Sequence, residues 1–235
     1  MGKKLGIIGG MGPLATVKLF EMIVLMTRAK SDQEHIHILV DNNTSIPDRT
    51  DYILNRRGED PRIQLIESAK RLEKMGADFL VMPCNTAHHF YDDIVNNINI
   101  PFIHMIEETA KYIRERYPAV KKIGLLATDG TIKAEIYHEI FNRYHIEVLT
   151  PKRDYQKYVM DLIYNIKEDV VQNNLDGFYK AMDDLKEQGA ELYVAGCTEV
   201  SVAIELFNLE GEIVDAMKVL AIRAIERVGK EAKDM

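Results

Sequence analysis

Short apolar runs alternate with segments of helical periodicity along this chain. Between the runs, apolar residues recur every three or four positions, the spacing that buries one face of a helix. The apolar runs predict strands at Leu5–Ile8, His37–Val40, Phe79–Met82, Ile123–Leu126, Ile146–Leu149 and Leu192–Ala195. The periodic segments predict helices over Leu14–Lys30, Pro61–Met75, Ile132–Tyr144, Glu168–Gln188 and Val214–Val228. Strands that alternate with helices are typical of an α/β fold with mainly parallel sheets.

The second half of the chain repeats the pattern of the first. Residues 3–8 are echoed by residues 121–126, and Gly76–Cys84 is echoed by Gly189–Cys197. We therefore predict two similar, Rossmann-like, three-layer α/β/α domains that are related by a pseudo-twofold axis and face each other across a cleft. The last helix is expected to return to the first half. The predicted domains are thus residues 1–115 with 208–235, and residues 116–207.

Composition and charge exclude several classes of function. The chain has 235 residues, 46% of them apolar, and a formal net charge of −7. A net acidic chain lacks the basic surface with which nucleic-acid binders neutralise phosphates. The most apolar window, Val17–Met26, is too short to cross a bilayer and contains Lys18 and Glu21. With no cleavage-site pattern near the N-terminus, we expect a cytoplasmic protein that binds neither nucleic acid nor membrane.

The only two cysteines occupy equivalent places in the two halves. Cys84 and Cys197 each follow the third predicted strand of their half, and ligands of α/β sheets gather at the carboxyl ends of strands. A polar residue follows each cysteine and is expected to begin a helix, whose N-terminus would lower the pKa of the thiol. Two thiols on opposite faces of one carbon can remove a proton from one side and deliver one from the other. The configuration of that carbon is then inverted.

Two loops offer groups that bind an anion. Gly9-Gly10-Met11-Gly12-Pro13 follows the first strand, so the backbone amides near Met11 and Gly12 are expected to face a ligand at a helix N-terminus. The loop after the second predicted strand ends in Arg49, whose guanidinium group can bind a carboxylate through two hydrogen bonds. Both loops suit a carboxylate substrate.

Four short motifs together resemble those of the aspartate/glutamate racemase family, in particular its aspartate branch. They are Gly9–Pro13, Pro47–Arg49, Pro83–His88 and Gly196–Glu199, and the resemblance spans nearly the whole chain. It implies a racemase that needs no pyridoxal phosphate, other cofactor or metal, is usually a homodimer, and uses cysteines that match Cys84 and Cys197.

The resemblance also implies roles for residues around the cysteines. Arg49 and Lys167 match the positions that hold the substrate carboxylates, although no tight motif surrounds Lys167. Asn85 and Thr86, beside the first thiol, are expected to donate hydrogen bonds to the substrate.

Thr198 and Glu199 follow the second thiol, and Glu199 either orients that thiol or caps its helix. The glutamate branch usually has histidine where this chain has Glu199, and an Asp-Ser pair where this chain has Gly10-Met11. These departures favour aspartate as the substrate, with glutamate, or both acidic amino acids, as the alternative.

Two other functions remain open from the residues alone. Gly10, Gly12 and Ala15 satisfy the G-x-G-x-x-A pattern of nicotinamide-dependent oxidoreductases, with Asp41 as the ribose-binding acid, although Asp41 lies farther along the chain than that pattern expects. A protein that binds a small molecule or a soft metal ion through the two thiols and His88 is the second alternative.

Overall fold

The computed structural model describes residues 2–55, 58–168 and 175–233 of the chain. Within these residues the strands are β1 Leu5–Gly9, β2 Ile38–Asn42, β3 Phe79–Val81, β4 Lys122–Leu126, β5 Glu147–Leu149, β6 Leu192–Ala195 and β7 Ile213–Asp215. The helices are α1 Pro13–Met26, α2 Arg49–Asn55, α3 Pro61–Lys74, α4 Tyr91–Val95, α5 Met105–Arg116, α6 Asp129–Lys133, α7 Ile136–Arg143, α8 Arg153–Lys167, α9 Leu175–Glu187, α10 Thr198–Phe207 and α11 Ala216–Arg227. None of these helices has the length and apolar character that a membrane span requires.

The strands form two parallel sheets with the same order. The first sheet runs β2-β1-β3, and the second runs β5-β4-β6-β7. Strands β1 and β4 are the central strands of their sheets, and each pairs in parallel with the next two strands of its own half. The predicted α/β fold of two similar parallel sheets with flanking helices is confirmed.

Matched glycines in the central strands let a helix approach each sheet closely. A Cβ atom at Gly6 would lie 3.3 Å from Cβ of Leu72 in α3 and 2.5 Å from Cδ2 of Leu80 in the neighbouring strand, and one at Gly124 would lie 2.9 Å from Cδ1 of Leu185 in α9. Only glycine fits such positions without movement of its neighbours. Packing therefore requires glycine at positions 6 and 124, which are equivalent in the two repeats.

Helices α5 and α11 connect the two halves. Ile106, Ala110 and Ile113 of α5 belong to the apolar core of the second sheet, whereas Leu220 and Ala224 of α11 belong to that of the first. Strand β7, which precedes α11, pairs with β6 of the second sheet. The division into residues 1–115 with 208–235 and residues 116–207 stays a prediction.

Three predicted helices have different bounds in the structure. The helix predicted from Val214 begins at Ala216, because Val214 lies in β7 and the Asp215 carboxylate accepts a hydrogen bond from the N–H of Met217 to cap the helix. The segment Ile132–Tyr144 contains α7 and the end of α6, separated where Glu135 has a φ of 55°. Helix α1 ends at Met26 rather than Lys30, since Thr27 turns extended.

Helix α8 is absent from the predicted elements, although its buried residues Val159, Leu162, Ile163 and Ile166 have helical spacing. The helix predicted over Glu168–Gln188 corresponds to α9 in its described part, and residues 169–174 lie outside the described residues. Helices α8 and α9 are both amphipathic, and Lys167 is the last residue of α8.

The two halves touch at their loop ends. Helix α2 packs on α6, where a Cβ atom at Gly130 would lie 2.8 Å from both Cα and Oγ1 of Thr50. Lys18 of α1 forms an ion pair of 2.8 Å with Glu205 of α10. The backbone contact at Gly130 fixes how closely the α2 loop approaches the second half.

We predict that Gly130→Ala lowers the free energy of unfolding by about 1–3 kcal/mol, because the new methyl group meets backbone atoms that cannot rotate away. Urea denaturation measures the change. Gly2→Ala is the control, since a Cβ atom there has no neighbour within 4 Å. Equal stability of both variants and the parent would show that the contact between α2 and α6 yields without cost.

Candidate active site

The two cysteines lie at equivalent strand ends, one in each half. Cys84 follows β3 by three residues, and Cys197 follows β6 by two. Both are free thiols, and each is only 6% exposed. Strand β3 lies beside β1 as β6 lies beside β4, so the repeat in the sequence is a repeat of position in the sheets.

Cys197 is held by the carboxylate of Glu199. The thiol donates a hydrogen bond of 2.9 Å to Oε2 of Glu199, and the hydroxyl of Thr198 donates to the same oxygen at 3.3 Å. Burial, followed by the charge of Glu199, raises the pKa of Cys197 well above its usual value, while Lys167 acts in the opposite direction. Cys197 therefore keeps its proton at neutral pH.

The lowered pKa predicted for thiols at helix N-termini is wrong for Cys197. This residue does precede α10 as its N-terminal cap, as predicted. Burial and the adjacent carboxylate, however, outweigh the effect of the helix dipole, which is a partial charge that acts over the first turn only. After Cys84, residues Thr86–Phe90 form a 3₁₀ helix rather than the expected α-helix.

His88 anchors the backbone at Cys84. Its Nδ1–H donates to the carbonyl oxygen of Cys84 at 2.8 Å, and its Nε2 accepts from the N–H of Met105 at 3.1 Å. Burial, with a smaller contribution from His104, lowers the pKa of His88 to about 3, so the ring is neutral. Both ring nitrogens are engaged, which removes His88 as the third ligand of the metal-binding hypothesis.

Asn85 is the buried amide beside the first thiol. Its Oδ1 accepts a hydrogen bond of 2.6 Å from the hydroxyl of Tyr137, which belongs to α7 of the other half. Its Nδ2 is buried and has no hydrogen-bond partner among the described residues. A free donor is what the predicted contact with a substrate carboxylate requires. Tyr137 is a site residue that the sequence does not reveal, because its periodic position reads as core.

Thr86 is engaged differently from the prediction. Its hydroxyl lies 3.1 Å from that of Thr128 and 2.8 Å from that of Thr131, and those two hydroxyls are 3.0 Å apart. The three groups can satisfy one another in a ring in which each donates once. The Thr86 hydroxyl therefore takes part in a contact between the halves. Its hydrogen bonds to Thr128 and Thr131 occupy the group that was expected to bind the substrate.

The pKa of Lys167 responds to the charges of both cysteines. Burial lowers the pKa of this lysine, but the negative charges of Glu199, Cys197, Cys84 and Asp48 together raise it above its usual value. These charges come from both halves. Lys167 is accessible to solvent at the same time, as a residue at the entrance of a site would be.

Arg49 is buried at the start of α2, with its guanidinium group fixed by its own loop. Nη1 donates to the carbonyl oxygens of Ile46 at 3.2 Å and Pro47 at 2.9 Å. Nε is buried without a hydrogen-bond partner in the described part of the chain. A preorganised cation with a free N–H suits a carboxylate ligand.

The glycine-rich loop approaches the second half at Gly12. Gly10 has a φ of 95°, and a Cβ atom there would lie 2.2 Å from the carbonyl oxygen of Asn43, so only glycine fits. Met11 packs in the same apolar cluster as Cys84. A Cβ atom at Gly12 would lie 3.5 Å from Oε1 of Glu199, which places the start of α1 beside the carboxylate that holds the second thiol.

The carboxylate of Asp41 is already paired with an arginine. Its Oδ2 accepts two hydrogen bonds from Arg71, from Nε at 3.1 Å and from Nη2 at 2.8 Å. The dinucleotide hypothesis thus lacks an unpaired acid at this position. No group of three or more His, Cys, Asp or Glu side chains suited to a metal ion occurs in the residues that the structure describes.

We predict opposite changes in the titration of Cys197 in two variants. Glu199→Gln removes a negative charge and shifts the pH midpoint of Cys197 alkylation downward, whereas Lys167→Met removes the opposing positive charge and shifts it upward. Mass spectrometry resolves iodoacetamide labelling of Cys197 from that of Cys84. Glu205→Gln on the same helix is the control. Midpoints that move in the same direction would contradict the assigned charges.

Comparisons with known proteins identify the family of this chain. The model of the Asp/Glu/hydantoin racemase family matches residues 8–224. A broad specificity amino-acid racemase of Bacillus subtilis is 28% identical over 221 residues, which cover 92% of this chain and 94% of the relative.

Solved structures show the same fold. The aspartate racemase of Picrophilus torridus is 31% identical and has a TM-score of 0.82, with 99% of this chain and 96% of that chain covered. The glutamate racemase of Campylobacter jejuni is 17% identical with a TM-score of 0.62, over 99% of this chain and 88% of that chain, and shares the fold. The chain belongs to the Asp/Glu/hydantoin racemase family and is an amino-acid racemase, an isomerase.

Proposed function

We propose that this racemase interconverts the enantiomers of an acidic amino acid, with aspartate preferred, and that Cys84 and Cys197 are its two opposed acid/base groups. The observation that carries the proposal is that contacts between the halves join the two cysteine segments: Glu199, which accepts from Cys197, lies beside Gly12, and Asn85, which follows Cys84, accepts a hydrogen bond from Tyr137. A ligand bound between these segments would lie between the two thiols.

The proton transfers follow from the state of Cys197. Because Cys197 is a thiol held by Glu199, it takes the role of proton donor, and Cys84 takes the role of the base that accepts the proton of a substrate whose Cα–H bond faces it. The Cα–H electron pair moves into the carboxylate. Cys197 then gives its proton to the opposite face of Cα and becomes the thiolate. The two thiols have exchanged states, so the enzyme is ready for the other enantiomer.

The charge that develops on the substrate needs donors and cations. The buried Nδ2 of Asn85, beside Cys84, supplies one donor, and the backbone at Met11 and Gly12 begins α1, whose N-terminus favours an anion. Arg49 and Lys167 supply two positive charges for the two carboxylates of an acidic amino acid.

Aspartate is favoured over glutamate for a geometric reason. The Ile46 and Pro47 carbonyls hold the Arg49 guanidinium group, so it suits one length of acidic side chain better than another. The 31% identity to the aspartate racemase of Picrophilus torridus supports the same preference. The breadth named for the Bacillus subtilis relative makes glutamate the second substrate to test. The cytoplasmic location expected from the N-terminal sequence and the homodimer implied by the resemblance stay predictions.

Chiral chromatography of the purified enzyme with L-aspartate, without added cofactor, tests this function. We expect an approach to equal amounts of both enantiomers, and a lower kcat/KM for L-glutamate under the same conditions. Racemisation of neutral amino acids at a rate equal to that of aspartate would contradict the assigned roles of Arg49 and Lys167.

We predict that Cys84→Ser and Cys197→Ser each lower kcat for racemisation by at least about 10³-fold, since each variant lacks one of the two positioned acid/base groups. Each variant should still exchange the Cα proton of one enantiomer, and the two variants should prefer opposite enantiomers. Circular dichroism and melting temperature establish that both variants fold. Racemisation at the parental rate in either variant would disprove the two-thiol mechanism.

A further inference from the structure

Tyr137 reaches from one half of the protein into the site of the other. It lies in α7, is fully buried, and its ring packs against Phe141 with 5.4 Å between centroids. Its hydroxyl group donates a hydrogen bond to Oδ1 of Asn85, the residue that follows Cys84. The second half thus contributes to the site of the first thiol through a rigid aromatic ring.

The hydroxyl group can only be the donor in this hydrogen bond. Burial, with smaller contributions from the charges of Cys197 and Asp215, raises the pKa of Tyr137 well above its usual value, so the proton stays on the phenol. The amide oxygen of Asn85 accepts that proton's hydrogen bond. The amide group is then fixed with its NH₂ on the opposite side, where Nδ2 is buried without a partner among the described residues.

A buried donor without a partner is costly, and the usual compensation is a ligand or an ordered water. Asn85 is 3% exposed and is adjacent to the thiol that faces the reacting carbon in the proposed mechanism. The carboxylate attached to that carbon gains electron density when the proton leaves. A donor at this place is therefore worth more in the transition state than in the bound substrate.

We propose that Tyr137 is a positioning residue for racemisation: it locks the Asn85 amide so that Nδ2 donates to the substrate carboxylate next to the reacting carbon. This inference rests on the proposed function. Since the ring of Tyr137 belongs to the core of the half that carries Cys197, the same contact sets the donor beside Cys84 relative to the second thiol.

Tyr137→Phe is the first test, because it removes one oxygen atom and keeps the ring. We expect kcat with aspartate to fall about tenfold and KM to change less, since the lost orientation matters most in the transition state. Tyr144→Phe is the matched control: Tyr144 follows the same helix and donates its hydroxyl to Glu107 at 3.1 Å, so that variant should keep parental kinetics.

A double-mutant cycle with Asn85→Ala separates positioning from general stability. If Tyr137 acts through Asn85, Tyr137→Phe has no further effect on kcat in the Asn85→Ala background. Two effects that multiply, or parental kinetics of Tyr137→Phe, overturn the inference. If the parent enzyme racemises no acidic amino acid, the proposed function has failed before the cycle begins.

Asn85→Asp is a second, independent variant. Its carboxylate still accepts from Tyr137 but offers no N–H, so we expect kcat to fall at least as far as in Asn85→Ala. Circular dichroism establishes that the variant folds, since a buried carboxylate lowers the melting temperature. Isothermal calorimetry with succinate, which is not racemised, should show weaker binding to Asn85→Asp than to the parent. Parental kcat in Asn85→Asp would overturn the inference.

Discussion

The hydrogen bond from the Cys197 thiol to the Glu199 carboxylate is the interaction on which the chemistry of this site depends. Two identical thiols at equivalent strand ends would be interchangeable, and two thiolates in one cleft would repel each other. Glu199 removes the symmetry by holding the proton on Cys197, and burial acts in the same direction. Lys167 opposes both effects on the pKa of Cys197.

The site also depends on contacts that cross between the halves, because each half supplies only one thiol. Gly130 against Thr50 sets the distance between two loops, and the hydroxyl ring of Thr86 with its two partners joins the same edges. The hydrogen bond from Tyr137 to Asn85 links the second half to the side chain beside Cys84. Helices α5 and α11 each pack on the sheet of the opposite half, so the two sheets share apolar cores rather than meeting only at the cleft.

The sequence predicts the fold well because two strong signals coincide. The strands of a parallel sheet are buried on both faces and read as continuous apolar runs, and the repeat shows each run twice. The equivalent positions of Cys84 and Cys197 follow from that repeat. The pKa of Cys197 is not predictable in this way, because it is set by burial and by how a carboxylate two residues on is oriented. The contacts of Tyr137 and of the Thr86 hydroxyl join segments that are distant in the sequence, so periodicity does not reveal them. Helix α8 is missed although its buried residues have helical spacing.

Deuterium incorporation at low conversion tests the two-thiol account most directly. With L-aspartate in deuterium oxide, product and residual substrate are separated by chiral chromatography and analysed by mass spectrometry. The account predicts one deuterium atom at Cα of nearly every D-aspartate molecule, delivered by the second thiol, and almost none in the residual L-aspartate. Equal deuterium in both enantiomers at early times, or D-aspartate that retains the original protium, would show that one group serves both faces and would contradict the account.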